Sequence, residues 1–158
     1  MDKMDRIELL KKACLELKEK TANETDLIAN LSNASAILNE NMEDINWVGF
    51  YVLKNNELVL APFQGKAACV RIPIGKGVCG TAFLKNEAVI VDDVHKFSGH
   101  IACDNASNSE IVLPIRQNSK AVAVLDIDSP LFSRFDLEEK NILETFVKTL
   151  EVSCSWKV

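Results

Sequence analysis

The sequence predicts an α+β domain in which a central, mainly antiparallel sheet is covered on one face by N- and C-terminal helices. Three observations carry this expectation. Apolar residues recur at helical spacing near both ends of the chain. Two pairs of strand-like runs are each separated by a short polar turn. The helical regions flank the strands instead of alternating with them, which disfavours a parallel sheet. With 158 residues, 47% of them hydrophobic and 26% charged, the chain reads as one domain over 1–158, large enough to bury a core without staples.

Taken in order, Met4, Ile7, Leu10, Ala13, Cys14 and Leu17 form a helical stripe over 4–20. Asn23 or Thr25 is a candidate cap for a second helix reaching Asn39, with Leu27, Leu31, Ala34 and Leu38 on its apolar face. These helices occupy 1–41, and the sheet with its loops occupies 46–129. Runs 46–53 and 57–63 are strands around an Asn55–Asn56 turn. The Gly- and Pro-containing stretch 65–80 is loop with a short strand at 70–72, followed by a helix from Val78 to Lys85. A strand over 88–94 precedes a long polar loop, 95–109. Strands 110–116 and 120–129 form a second hairpin around Gln117–Asn118–Ser119. Asp136 caps the last helix, within 136–154, and Glu139 completes a capping box.

Composition narrows the function classes. The net charge of −5 argues against nucleic acid as a partner, because phosphate binding needs a basic stripe. No apolar stretch approaches the roughly 20 residues of a membrane span, and the charged start, MDKMDRIELLKK, is unlike a signal peptide. A reducing, cytoplasmic location is expected. Five cysteines, an odd number, do not suggest a structural disulfide framework there. Cys14 and Cys154 sit on apolar helical faces and read as small buried hydrophobes. Cys79 begins a predicted helix, where the dipole favours a thiolate. Cys69 lies near Lys66 and Arg71, and Cys103 lies in the long loop after His100. A zinc site from Cys69, Cys79, Cys103, His95 and His100 is disfavoured by wide, irregular spacing.

The second hairpin carries the other candidate chemistry. With a three-residue loop, Arg116 faces Lys120 and Glu110 lies opposite Asp126. Alternation then puts Asp126 and Asp128 on one face with Val122 and Val124. It sends Ile111, Leu113, Ile115, Leu125 and Ile127 to the other face, under the helices. A two-residue loop would separate Glu110 from the aspartates. Three converging carboxylates raise at least one pKa and offer a cation site and a proton donor. Alternatively, the aspartates are strand-end residues facing water. Trp47 and Tyr51 share a face of the first strand, and Gly49 between them leaves room for a ligand; ordinary packing is the alternative.

The segments ELVLAPFQGKAACVRIPIGKGVCGTA (57–82), DVHKFSGHIACDNASNSEIVLPI (93–115) and AVLDIDSP (123–130) resemble the free methionine-R-sulfoxide reductases, which are single GAF-domain enzymes. The resemblance spans roughly 46–150, and Cys69, Cys79 and Cys103 stand 10 and 24 residues apart. It implies a GAF-like fold with the ligand pocket on the face opposite the terminal helices. It also implies reduction of free L-methionine (R)-S-oxide. Cys103 is then the nucleophile, Cys69 the resolving cysteine and Cys79 an auxiliary thiol. Glu110, Asp126 and Asp128 hold substrate, and Trp47 and Tyr51 wall the pocket. Asn105 departs modestly from the small residues common at its place.

On this reading the aspartates bind the α-ammonium and Glu110 protonates the sulfoxide oxygen. Cys103 becomes a sulfenic acid and Cys69 condenses with it to a disulfide. Thioredoxin, reduced by NADPH through thioredoxin reductase, regenerates the thiols. No bound cofactor or metal is required, and a homodimer through the terminal helices is expected. Two other readings compete. A non-catalytic GAF sensor would be joined to an output domain and has no use for three cysteines. A thiol redox switch would not explain Glu110, Asp126 and Asp128.

Overall fold

The computed structural model describes residues 1–99 and 106–157. Among these, the elements follow the predicted order. Helices α1 (Lys3–Thr21) and α2 (Leu27–Asn41) come first. The cap of α2 is Asp26, whose side chain accepts from the Ala29 N–H at 2.9 Å, not Asn23 or Thr25. Strands β1 (Trp47–Lys54) and β2 (Glu57–Gly65) form the first hairpin. Asn55 and Asn56 both take positive φ there, 51° and 66°, as a tight hairpin turn requires. Then follow β3 (Arg71–Pro73), α3 (Gly77–Lys85) and β4 (Val89–Val91). Strand β4 is shorter than expected because the Asp93 side chain accepts from the His95 N–H and turns the chain into a 3-10 segment, Val94–Lys96. Strands β5 (Ser109–Gln117) and β6 (Lys120–Ser129) form the second hairpin, and α4 spans Leu137–Ser153. The predicted capping box is present: Asp136 accepts from the Glu139 N–H, and Glu139 accepts from the Asp136 N–H.

The six strands form one sheet in the order β3-β2-β1-β6-β5-β4, every pairing antiparallel. Alternation divides its side chains into two clusters. On one face Ile111, Leu113, Ile115, Leu125 and Ile127 pack with Leu10, Leu17, Leu31, Leu38, Phe146 and Leu150 of α1, α2 and α4. On the other, Trp47, Tyr51, Val112 and Val124 meet Ile72, Val78, Cys79 and Ala82 from β3 and α3. A buried ion pair joins Arg134 to Glu139 at 2.6 Å, and Arg134 Nε also donates to the Glu43 carbonyl. This ties the segment before α4 to the turn that precedes β1. No described helix is long and apolar enough to cross a membrane.

Candidate active site

The position of Glu110 depends on two departures from the simplest hairpin. The connecting turn has two residues, Asn118 and Ser119, at φ 52° and 67°, so Gln117 pairs with Lys120 and Arg116 with Ala121. Both differ from the expected three-residue loop with Arg116 facing Lys120. Continued without interruption, that register would set Glu110 opposite Ile127, on the helical face. Instead the ladder shifts between Ile115 and Arg116: Ile115 pairs with Ala123, leaving Val122 as an extra residue. Val122 therefore packs with the helix-side cluster instead of sharing a face with Val124. The Arg116 N–H at the irregularity donates to a Glu151 carboxylate oxygen at 2.6 Å. Beyond the bulge Val112 lies opposite Asp126 and Glu110 opposite Asp128. The carboxylates thus converge, one pair further along than the expected Glu110–Asp126 pairing.

Directly opposed residues in a ladder point to the same face. Trp47 of β1 pairs with Asp128 of β6, which pairs with Glu110 of β5. Gly49, Asp126 and Val112 make the adjacent row. Glu110 and Asp126 are 7% and 6% exposed, and Asp128 is half-buried. The segment leading into Glu110 is fixed to the end of β6, since the Asn108 N–H donates to the Ser129 carbonyl and Ser109 Oγ donates to the Leu131 carbonyl.

Glu110, Asp126 and Asp128 line a cavity of about 40 Å³ together with Trp47, Tyr51, Cys79, Ser107 and the 66–68 segment. Trp47 and Tyr51 do share a face, with ring centroids 6.0 Å apart. The room beside Gly49, however, is filled by protein. Phe63 of β2 pairs with Gly49 and stacks on Trp47 at 5.1 Å. A methyl group on Gly49 would lie 2.2 Å from Phe63 Cβ. Sequence reasoning missed Phe63, and also Ser107, whose hydroxyl accepts from Asn46 Nδ2 at 3.1 Å. The glycine in NWVGFY, facing an aromatic residue across a hairpin, was the available signal for Phe63.

The electrostatics favour protonated groups. Burial first, then the charges of Asp126 and Asp128, push the Glu110 carboxyl well above the usual carboxylate range. Cys79 lies in the first turn of α3, as expected, but burial followed by Asp126 and Glu110 pushes its thiol up too. The helix terminus does not make it a thiolate; the neutral S–H donates to Asp126. Gly80 keeps this helix start tight, since a Cβ there would lie 2.5 Å from the Pro73 carbonyl oxygen. Burial also pushes up the Tyr51 phenol, helped by Asp126, so it remains a donor.

Cys69 lies in the 66–70 loop and is held in a disulfide. Cys14, Cys79 and Cys154 are free thiols, and burial raises that of Cys14 to about 11. Arg71, two residues from Cys69, pairs with Glu57 at 2.6 Å. His95 bonds Asp93 at 2.8 Å. Cys103 and His100 lie outside the described residues. Among the described residues, ligand atoms of Cys79, Glu110 and Asp126 lie within 4.8 Å of one another, a set different from the cysteine–histidine one weighed for zinc. Two of the three favour their protonated forms, so the arrangement suits shared hydrogen bonds. Chemically, the site offers a proton donor, two carboxylates for a cation and an aromatic wall, with the loop of the disulfide-bonded Cys69 alongside.

Comparison with known proteins identifies the family and the fold. The GAF domain family matches residues 25–152. A free methionine-R-sulfoxide reductase of Escherichia coli (strain K12) is 56% identical over 130 residues, covering 82% of this chain and 79% of that protein. The fRMsr of Staphylococcus aureus in complex with substrate superposes with a TM-score of 0.84 at 55% identity, over 92% of this chain and 93% of that one. Free methionine-R-sulfoxide reductase from Neisseria meningitidis, in complex with its substrate, gives a TM-score of 0.90 at 42% identity, over 96% and 89%. The chain belongs to the free methionine-R-sulfoxide reductases, a family built on the GAF domain.

Proposed function

We propose that this protein reduces the R-sulfoxide of free methionine to methionine, with Cys103 as nucleophile and Cys69 as resolving thiol. The observation that carries the proposal is the buried Glu110–Asp126–Asp128 cluster between an aromatic wall and the loop of the disulfide-bonded Cys69. Asp126 and Asp128 bind the α-ammonium, which a residue within a polypeptide lacks. Glu110, kept protonated by its surroundings, donates to the sulfoxide oxygen. Trp47 and Tyr51 enclose the methyl-sulfoxide end.

The chemistry balances with two thiols. The Cys103 sulfur attacks the protonated sulfoxide; oxygen passes to it, giving Cys103 sulfenic acid and methionine. The Cys69 thiol displaces that hydroxyl as water, and an S–S bond forms. An external dithiol, thioredoxin in a reducing cytoplasm, exchanges with the disulfide and restores both thiols. Cys79 serves as an auxiliary thiol that hydrogen-bonds Asp126. A homodimer forms through the terminal helices, whose outer faces expose Leu15, Ile28 and Val152; light scattering on the purified protein tests it.

The deciding assay couples the protein to thioredoxin, thioredoxin reductase and NADPH, with R and S epimers of free methionine sulfoxide supplied separately. NADPH consumption with the R epimer alone is the expected result. Cys103→Ser abolishes turnover. Cys69→Ser releases one methionine per enzyme and then stalls. Binding without NADPH consumption would return the protein to the sensor reading.

A further inference from the structure

Besides the disulfide at Cys69, three hydrogen bonds among the described residues hold its loop. The Leu60 N–H donates to the Val70 carbonyl at 2.8 Å, an ordinary bond between neighbouring edge segments. The other two come from the central strand. The Trp47 indole N–H donates to the Lys66 carbonyl at 3.1 Å. The Tyr51 hydroxyl donates to the Cys69 carbonyl itself at 2.8 Å. Side chains of β1 thus reach across the pocket wall to hold the backbone of a loop that connects β2 to β3. Residues 66–70 lie outside helix and strand and are exposed or half-buried, with Ala68 packed against the pocket-side cluster, so these hydrogen bonds act on an otherwise irregular segment.

The tethering side chains are themselves firmly seated. Tyr51 is 2% exposed and stacks on Trp47, which stacks on Phe63, which packs over Gly49. An aromatic side chain has only two torsions, so a packed ring places its polar tip with little freedom. Neither hydrogen bond is needed for a wall that merely contacts a methyl group; Phe would serve.

We infer that Tyr51 and Trp47 are positioning residues for the resolving thiol: their polar tips fix the 66–70 loop so that Cys69 stays within reach of the sulfenic acid. The inference deepens the proposed function and rests on its assignment of Cys69. In the step concerned, the Cys69 S–H bond and the S–O bond of the sulfenic acid break, an S–S bond forms, and water carries away the proton. No outside oxidant enters, because the sulfoxide has already supplied the oxidising equivalent.

The test uses the intact chain. Its dithiol–disulfide equilibrium is measured in a dithiothreitol redox buffer without substrate, where substrate contacts cannot contribute. Tyr51→Phe is expected to lower the effective concentration of the closing thiol by about 3- to 10-fold, the worth of one net hydrogen bond. Trp47→Phe shifts it in the same direction. In single turnovers with methionine-R-sulfoxide and a cyclic dione that traps sulfenic acid, the trapped share rises relative to methionine released. An unchanged effective concentration in Tyr51→Phe, with the effect confined to KM, overturns the inference and leaves both residues as wall only. Should Tyr51→Phe fail to fold, Trp47→Phe decides on the same readouts. If Cys69→Ser still closes an intramolecular disulfide with wild-type effective concentration, the resolving assignment falls instead, and the inference with it.

Discussion

Replacing Gly49 by alanine tests whether the aromatic wall is built as described. The added methyl carbon would stand 2.2 Å from Phe63 Cβ, 2.8 Å from Phe63 Cα and 2.9 Å from the Trp47 ring, where ordinary contact begins near 3.4 Å. Relief requires a movement of about 1 Å, and one of the obstructing atoms is backbone in a paired strand. Side-chain rotation alone cannot supply it. Overpacking of this kind costs about 1–3 kcal/mol, and the backbone contact places it at the upper end. For a domain of this size that lowers Tm by about 6–12 °C. Because Trp47 must yield too, KM for methionine-R-sulfoxide rises more than kcat falls. Calorimetry and steady-state kinetics measure the two effects. Combining Gly49→Ala with Phe63→Gly should recover part of the loss, as a favourable coupling in a double-mutant cycle. A Tm within 1 °C of the parent, with KM unaltered, would refute the close approach of Phe63 and the support it gives Trp47.

Three further variants probe the site and its frame. Glu110→Gln should slow methionine release in a single turnover by about 10²–10⁴-fold, the usual worth of a general acid, and should remove the decline in rate that the parent shows as rising pH takes the Glu110 proton. The same variant should be more stable than the parent at alkaline pH. A carboxyl whose folded pKa is raised favours the fold below its ordinary value and loses that contribution as pH rises through the folded one, so denaturant titrations across pH should show the gap closing on the acid side. Asp128→Asn should weaken binding of free methionine to the reduced protein by about 10- to 100-fold, the range for a hydrogen bond to a charged group, read by calorimetric titration. Glu139→Gln removes the charge opposing the buried Arg134 guanidinium and should destabilise the fold by about 3–5 kcal/mol, as measured by denaturant unfolding.

Most of the frame was legible because its determinants are local. The Asn55–Asn56 turn, the capping box at Asp136 and Glu139, and the strict alternation along IVLPI and VLDID each announce themselves within a few residues. What escaped depends on partners far along the chain. The cap of α2 passed from Thr25 to Asp26 because several residues there could serve, and geometry chose between them. Gly49 looked like space for a ligand until Phe63, fourteen residues later, was placed across from it. Cys79 was correctly set at a helix start, yet its state is decided by burial against Glu110 and Asp126, which come from strands far away in sequence. The register of the second hairpin needed both the turn length and the bulge at Val122, and a bulge has no compositional signature.

The alternation along β6 lets one strand serve two masters. Leu125 and Ile127 look toward the helices, while Asp126 and Asp128 look into the cavity. Substitutions at the even-numbered positions can therefore retune what the cavity accepts while the hydrophobic seam behind it stays intact. A scaffold organised this way can change its chemistry by editing every second residue, and a library confined to positions 110, 126 and 128 should yield folded proteins far more often than one confined to 111, 125 and 127.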